Sequence, residues 1–200
     1  MEFRHPYLAT GIGSFPHKDG REALRLIHGN FSHIPFWPQL PKRSFKEGMV
    51  LQYSQGFPSL RWDEKDQRVW VDTSSGFDKE VEKFYEALGD VNFKPFEITE
   101  EFSKGLQLFR DLAPGDDWKQ IKYVKGQVTG PITFGLSLTD PEGKPVFYDP
   151  TLREILVKHL TSKAHWMEKR FHEQFPGVPT ILFFDEPSLS SFGSGFSGLN

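Results

Sequence analysis

The sequence predicts an α/β fold with a parallel sheet, and three observations carry that prediction. Short apolar segments alternate with stretches of helical periodicity. Thr180-Ile-Leu-Phe-Phe184 is a continuous apolar run, the pattern of a strand covered on both faces. Gly/Pro punctuation follows three apolar runs directly, at Gly13-Ser14-Phe15-Pro16, Gly130-Pro131 and Asp185-Glu186-Pro187. Right-handed crossovers would place the helices outside the sheet, whether it closes as a barrel or stays open and doubly wound. About four or five strand–helix units fit here, against ~250 residues for an eight-unit barrel, so the barrel reading makes this chain an N-terminal half.

Each element has its own signal. Leu8 to Ile12 reads as a first strand entering the Gly13-Ser14 loop. Gly20 to His28 carries Ala23, Leu24 and Ile27 at helical spacing, with Gly29-Asn30 as a stop. His33 to Trp37 reads as a second strand, and Phe45 to Tyr53 as a helix. Leu60-Arg61-Trp62 and Val69-Trp70-Val71 alternate around a polar turn, a β-hairpin excursion at about 59–73 from an otherwise single partial-barrel domain, 1–200. Phe77 to Leu88 and Thr99 to Leu112 read as helices, the second stopped by Pro114-Gly115. Ile121 to Thr129 reads as a strand followed by a short helix, and Pro145 to Tyr148 as a loop or short extended piece. The strongest helix runs from Asp149, an N-cap with Pro150 in the first helical position, to about Gln174.

Composition narrows the function. A core is affordable with 37% hydrophobic and 15% aromatic residues, and a net charge of −3 with interspersed signs supplies no basic face for nucleic acid or anionic lipid. There is no cysteine, so a metal held by these residues would need His, Asp or Glu. No secretory signal pattern and no long apolar run is present, which fits a cytoplasmic protein with no membrane partner.

In parallel α/β folds ligands gather at the carboxyl ends of the strands. Gly13 would let backbone N–H groups approach a carboxylate or phosphate, and Ser14 adds a hydroxyl; a plain turn with Ser14 capping the next helix reads equally well. His17 is close by as a base, ligand or capping residue. Asp185 and Glu186 end a buried run, where a carboxylate needs a partner. Asp185 could accept a substrate ammonium, and a carboxylate pair also suits the acid and base of a glycosidase. Thr129 lies at another strand end, with Lys125 before it as a buried ion-pair partner or a surface charge. Trp37 and Gln39 follow the second strand as candidate pocket lining, with core packing the alternative for Trp37. His159, His165 and His172 share one helix without the spacing of a zinc pair, and Ser190 to Gly195 reads as an active-site loop.

Three segments in order, Ala9-Thr-Gly-Ile-Gly-Ser-Phe-Pro16, Val124-Lys-Gly-Gln-Val-Thr-Gly-Pro-Ile-Thr133 and Phe184-Asp-Glu-Pro-Ser-Leu189, resemble strand-end motifs of the C-terminal catalytic domain of cobalamin-independent methionine synthase. That family shares its barrel superfamily with uroporphyrinogen decarboxylase. The resemblance implies a (β/α)8 TIM-barrel type fold and a zinc-dependent S-methyltransferase, moving a methyl group from a folate or corrinoid donor to homocysteine or a similar thiol. It implies that Ile12, Gly13 and Ser14 hold the substrate carboxylate and that Asp185 binds its amino group. Zinc is expected from the family, with its ligands downstream of Asn200 and none identified within 1–200. No family glutamate falls securely on Glu47. The other readings are a uroporphyrinogen-decarboxylase-like enzyme, or a non-catalytic barrel fragment that binds an amino acid or a partner. An open half barrel exposes two sheet edges, so self-association is expected of it.

Overall fold

The computed structural model describes residues 7–111 and 120–193, a mixed α/β chain that is 46% helical with small sheets and no closed barrel among the described residues. The chain divides into two compact units. One takes residues up to Glu47 together with Thr99–Gln127 and Met167–Phe183; the other takes Gly48–Ile98, Val128–Trp166 and the residues from Phe184 onward.

In the first unit, helix α1 (Gly20–Asn30) starts at Asp19, whose carboxylate accepts from the Arg21 N–H at 2.8 Å. It buries Ala23, Leu24 and Ile27 and continues through the expected stop at Gly29, where no other group crowds the backbone. The expected strand over 33–37 is no regular strand. Pro35 and Pro38 cannot donate to a ladder, so the segment pairs at single points: Pro35 O accepts from Lys125 N–H at 2.9 Å, and Phe36 bridges Lys125 in parallel. The first segment pairs only near its end, where Ser14 bridges Gln39 in parallel and Phe15 N–H and Gln39 N–H donate across it at 2.9 and 2.8 Å.

The helix expected over 99–112 is divided by Ser103, whose hydroxyl donates back to Thr99 O at 2.9 Å. A 3-10 turn covers Glu100–Phe102 and helix α4 covers Lys104–Asp111, while Leu112 and the stop at 114–115 lie outside the described residues. Glu47, buried at this helix start, pairs with Arg43 and accepts from Lys104 N–H at 3.3 Å. Burial pushes its carboxyl above the ordinary range, and Arg43 opposes that shift.

In the second unit, strands β1 (Leu60–Asp63) and β2 (Arg68–Val71) form an antiparallel hairpin with Leu60 opposite Val71. The segment read as one helix over 45–53 is a 3-10 turn at Phe45–Glu47 and, past Gly48, the short helix α2 (Leu51–Ser54). The carbonyl of Met49, between the two, is taken by the Thr129 hydroxyl at 2.8 Å. Helices α3 (Phe77–Ala87) and α5 (Pro131–Ser137) follow, with a 3-10 turn at Val146–Tyr148 where loop or extended chain was expected.

Strands β3 (Val124–Thr129) and β4 (Thr180–Asp185) pair with each other. Val124 N–H donates to Pro179 O and Gly130 N–H to Asp185 O, the same offset at both ends, which only parallel strands give. All six β3 residues are buried. β4 is not covered on both faces as its apolar run suggested: Phe183 and Phe184, successive residues that point to opposite faces, are 44% and 49% exposed.

Helix α6 (Pro150–Gln174) is capped by Asp149, which accepts from Leu152 N–H at 2.9 Å. Leu152, Ile155, Leu156, His159, Leu160 and Lys163 recur at helical spacing on its buried side. Asp149→Ala should lower stability by about 1 kcal/mol through loss of this cap, measured as a shift of the urea midpoint.

Candidate functional site

The Gly13-Ser14 loop ends the first extended segment and is built from below. Gly13 is buried with φ +135°, a region L side chains rarely adopt, and an added Cβ would lie 2.4 Å from Gln127 Nε2 and 3.0 Å from Gln39 Oε1. Only glycine lets the backbone come this close to the two amides. Ile12 and Ser14 on either side are exposed. The Ile12 carbonyl accepts from Lys125 Nζ at 2.8 Å, and the same ammonium donates to Gln127 Oε1 at 3.3 Å. Gln127 in turn donates to Trp37 O at 3.1 Å.

Lys125 has no exposed surface, and its Nζ sits 4.5 Å from the Phe183 ring centroid and 5.7 Å from that of Phe36. Of the two sequence readings for this lysine, burial holds and surface placement fails. His17 packs against Phe15 with centroids 5.7 Å apart, and its Nδ1 is buried without a hydrogen-bond partner among the described residues. Gln39 is buried and contributes to the floor under Gly13. Trp37 is a correction: with 0% exposure it is core and lines no open pocket, as expected for a large ring on a segment packed under a helix.

The remaining candidates belong to the second unit. Thr129 is buried and its hydroxyl is committed to Met49 O, so it ties two backbone segments and is withdrawn from pocket lining. Glu186 accepts from Ile132 N–H at 2.9 Å and Thr133 N–H at 2.7 Å, closing the first turn of α5. An added Cβ at Gly130 would strike this carboxylate side chain, so the glycine in Gly130-Pro131 makes room for a helix cap. Glu186 thereby serves as the cap of this helix. Asp185 ends β4 half-buried, with its carbonyl accepting from Gly130 N–H at 2.8 Å. Ser190 and Ser191 close a 3-10 turn spanning Pro187–Ser191; Ser194 and Gly195 of the expected active-site loop lie outside the described residues.

Two groups escaped the sequence reading. His159 and Lys163, one turn apart on α6, are both fully buried. The His159 Nε2 lies 2.6 Å from Tyr53 O inside a ring of Phe57, Phe84, Phe96 and Phe134, and Lys163 Nζ donates to Glu97 O at 3.2 Å. The signal was Lys163 at i+4 from His159 on one long helix. Burial, aided by the neighbouring Lys163, pushes His159 down to about 3, and burial pushes Lys163 down to about 7. A separate cleft of ≈ 340 Å³ is lined by Thr73, Asp78, Asp140, Lys144, Asp149 and Thr151 among others, none of them a candidate from sequence. Two of its three acids are engaged: Asp140 accepts from Lys144 N–H at 2.8 Å and Asp149 caps α6.

Among the described residues no group of three or more His, Asp or Glu side chains converges to hold a metal ion. Nor is any of their helices long and apolar enough to cross a membrane. No protein family, curated protein or solved structure matches this chain.

The buried lysine makes a pH prediction. Its folded pKa is depressed from 10.5 to about 7, so between those values the unfolded chain binds a proton that the folded chain does not. Stability therefore gains with rising pH across that window and is lost as pH falls toward 7. Lys163→Met should be more stable than wild type at pH 7, on the order of 1–4 kcal/mol, and the gap should close toward pH 10 when urea midpoints are compared. Gly13→Ala should destabilise by roughly 1–3 kcal/mol in the same assay, from backbone strain and the clash with Gln127.

Proposed function

We propose that this chain forms the front half of a (β/α) barrel and carries a thiol-substrate loop of an S-methyltransferase of the cobalamin-independent methionine synthase type. The observation that carries this reading is the polar face of β3 beneath the Gly13-Ser14 loop. A parallel strand buried on both sides is ordinarily apolar on both. Here Val124 and Val128 are apolar, while the alternate residues Lys125 and Gln127 are polar, buried and bonded to the carbonyls of Ile12 and Trp37. A strand spends polar groups in this way where it supports a site.

The barrel half of the reading is supported by strand order. The segments around Ser14, around Phe36–Gln39, in β3 and in β4 pair each with the next, all parallel and all in chain order. A barrel adds its strands in that sequence, whereas a doubly wound sheet reverses direction after its first strands. The loop after the first segment then falls at the strand end where barrel enzymes bind ligands.

In the proposed chemistry the loop takes the carboxylate of homocysteine or a similar thiol amino acid through backbone N–H groups and the Ser14 hydroxyl, fixing the substrate while its sulfur, having lost its proton to solvent, attacks the methyl carbon, so that an S–C bond forms as the donor's bond to that carbon breaks and the demethylated folate or corrinoid leaves with the electron pair. Zinc, when supplied from outside the described residues, would lower the thiol pKa. Calorimetric titration of homocysteine into the protein tests the reading. Ser14→Ala should weaken binding by about 1–3 kcal/mol through loss of one hydrogen bond. Unchanged affinity in this variant, or no binding by the wild type, refutes it.

A further inference from the structure

The deepest polar group under the Gly13-Ser14 loop is the Lys125 ammonium, and its bond to the Ile12 carbonyl has a geometric consequence. A peptide is planar and trans, so its C=O and the following N–H point in opposite directions. Drawing the Ile12 oxygen down onto a buried ammonium turns the Gly13 N–H away from it, toward the side on which the exposed residues Ile12 and Ser14 lie. Among the described residues no acceptor is paired with that N–H. Gln127, bonded to the same ammonium, fills the space where a Gly13 side chain would sit.

We infer that Lys125 is the positioning residue of this loop: its ammonium holds the Ile12–Gly13 peptide in the one orientation that presents the Gly13 N–H to a substrate carboxylate. This rests on the amino-acid-binding role proposed above. Lys125 itself has no exposed surface, so it acts through the loop and not on the ligand. The two aromatic faces of Phe36 and Phe183 and the Gln127 amide oxygen give the ammonium a site suited to a cation in the interior. Arginine at this position keeps the charge and the donor; methionine keeps the length and loses both.

The test reads the loop and the ligand separately. Hydrogen exchange is followed at the Phe15 and Gln39 amides, which donate across the loop, and at the Val71 amide of the hairpin as a reference. In Lys125→Met the two loop amides should exchange at least about tenfold faster while Val71 is unchanged, and Lys125→Arg should restore much of the protection. Unchanged loop exchange in folded Lys125→Met overturns the inference. If that variant does not fold, the wild type decides: a hydrogen-bond scalar coupling between Lys125 ¹⁵Nζ and the Ile12 carbonyl carbon is expected, and its absence overturns the assignment. In calorimetry, Lys125→Met should bind homocysteine at least about tenfold more weakly and Lys125→Arg near wild-type strength. Wild type that protects the loop in a Lys125-dependent way yet binds no homocysteine defeats the substrate reading alone.

Discussion

A polar group taken out of water costs free energy unless it finds a partner, and β3 buries three of them at alternate positions. Lys125, Gln127 and Thr129 share one face of the strand, and each settles the cost on a backbone carbonyl of a different segment: Ile12, Trp37 and Met49. Those segments have little regular pairing of their own. Prolines interrupt one, glycines another, and the third is the break between a 3-10 turn and α2. The strand thus supplies long-range bonds where the neighbouring backbone cannot supply a full ladder, and the loop geometry follows from that constraint.

The other face of the same strand obeys a different rule. Gly126 leaves no room for a side chain against Met167, Phe171 and Leu182, so α6 and β4 press directly on the backbone there. One strand therefore has a tightly packed apolar side and a bonded polar side. A sequence reading that treats Lys125 as one ambiguous charge misses this, because the informative unit is the i, i+2 pair of Lys125 with Gln127. Alternation of polar residues inside an otherwise valine-flanked run was available from the start.

Much of the fold was legible where local signals were strong. The cap at Asp149 and the hairpin turn after Asp63 are decided within a few residues, and local signals find them, whereas the first helix is capped by Asp19 and not by Ser14 or His17. Where helices were read too long, at 45–53 and 99–112, a hydroxyl bonds a backbone carbonyl near the break: Thr129 takes Met49 O, and Ser103 shares Thr99 O with the Phe102 N–H. No periodicity reports that. The site residues divide in the same way. Gly13 and Ser14 stand out in sequence because glycine there answers a local backbone need, whereas Trp37, Thr129 and Glu186 were drawn in by position and are held by packing, a backbone carbonyl and a helix start.

The two buried lysines make the clearest contrast in the molecule. Lys163 is fully buried on α6, donates to the carbonyl of Glu97, and has its affinity for a proton cut by burial, which the nearby Glu97 charge opposes. It stands beside His159, which burial keeps neutral through most of the pH range, so this pair adds polar atoms to a core without offering a charge to anything outside it. Lys125 is equally buried but is met by a carbonyl, an amide oxygen and two aromatic faces, all set to receive a cation. The difference lies in what each lysine is bonded to. Lys163 reaches the backbone just after a 3-10 turn, at Glu97, and only tightens the core. Lys125 reaches a peptide that joins an exposed residue, Ile12, to a glycine held at positive φ, Gly13, so its bond ends at the surface loop.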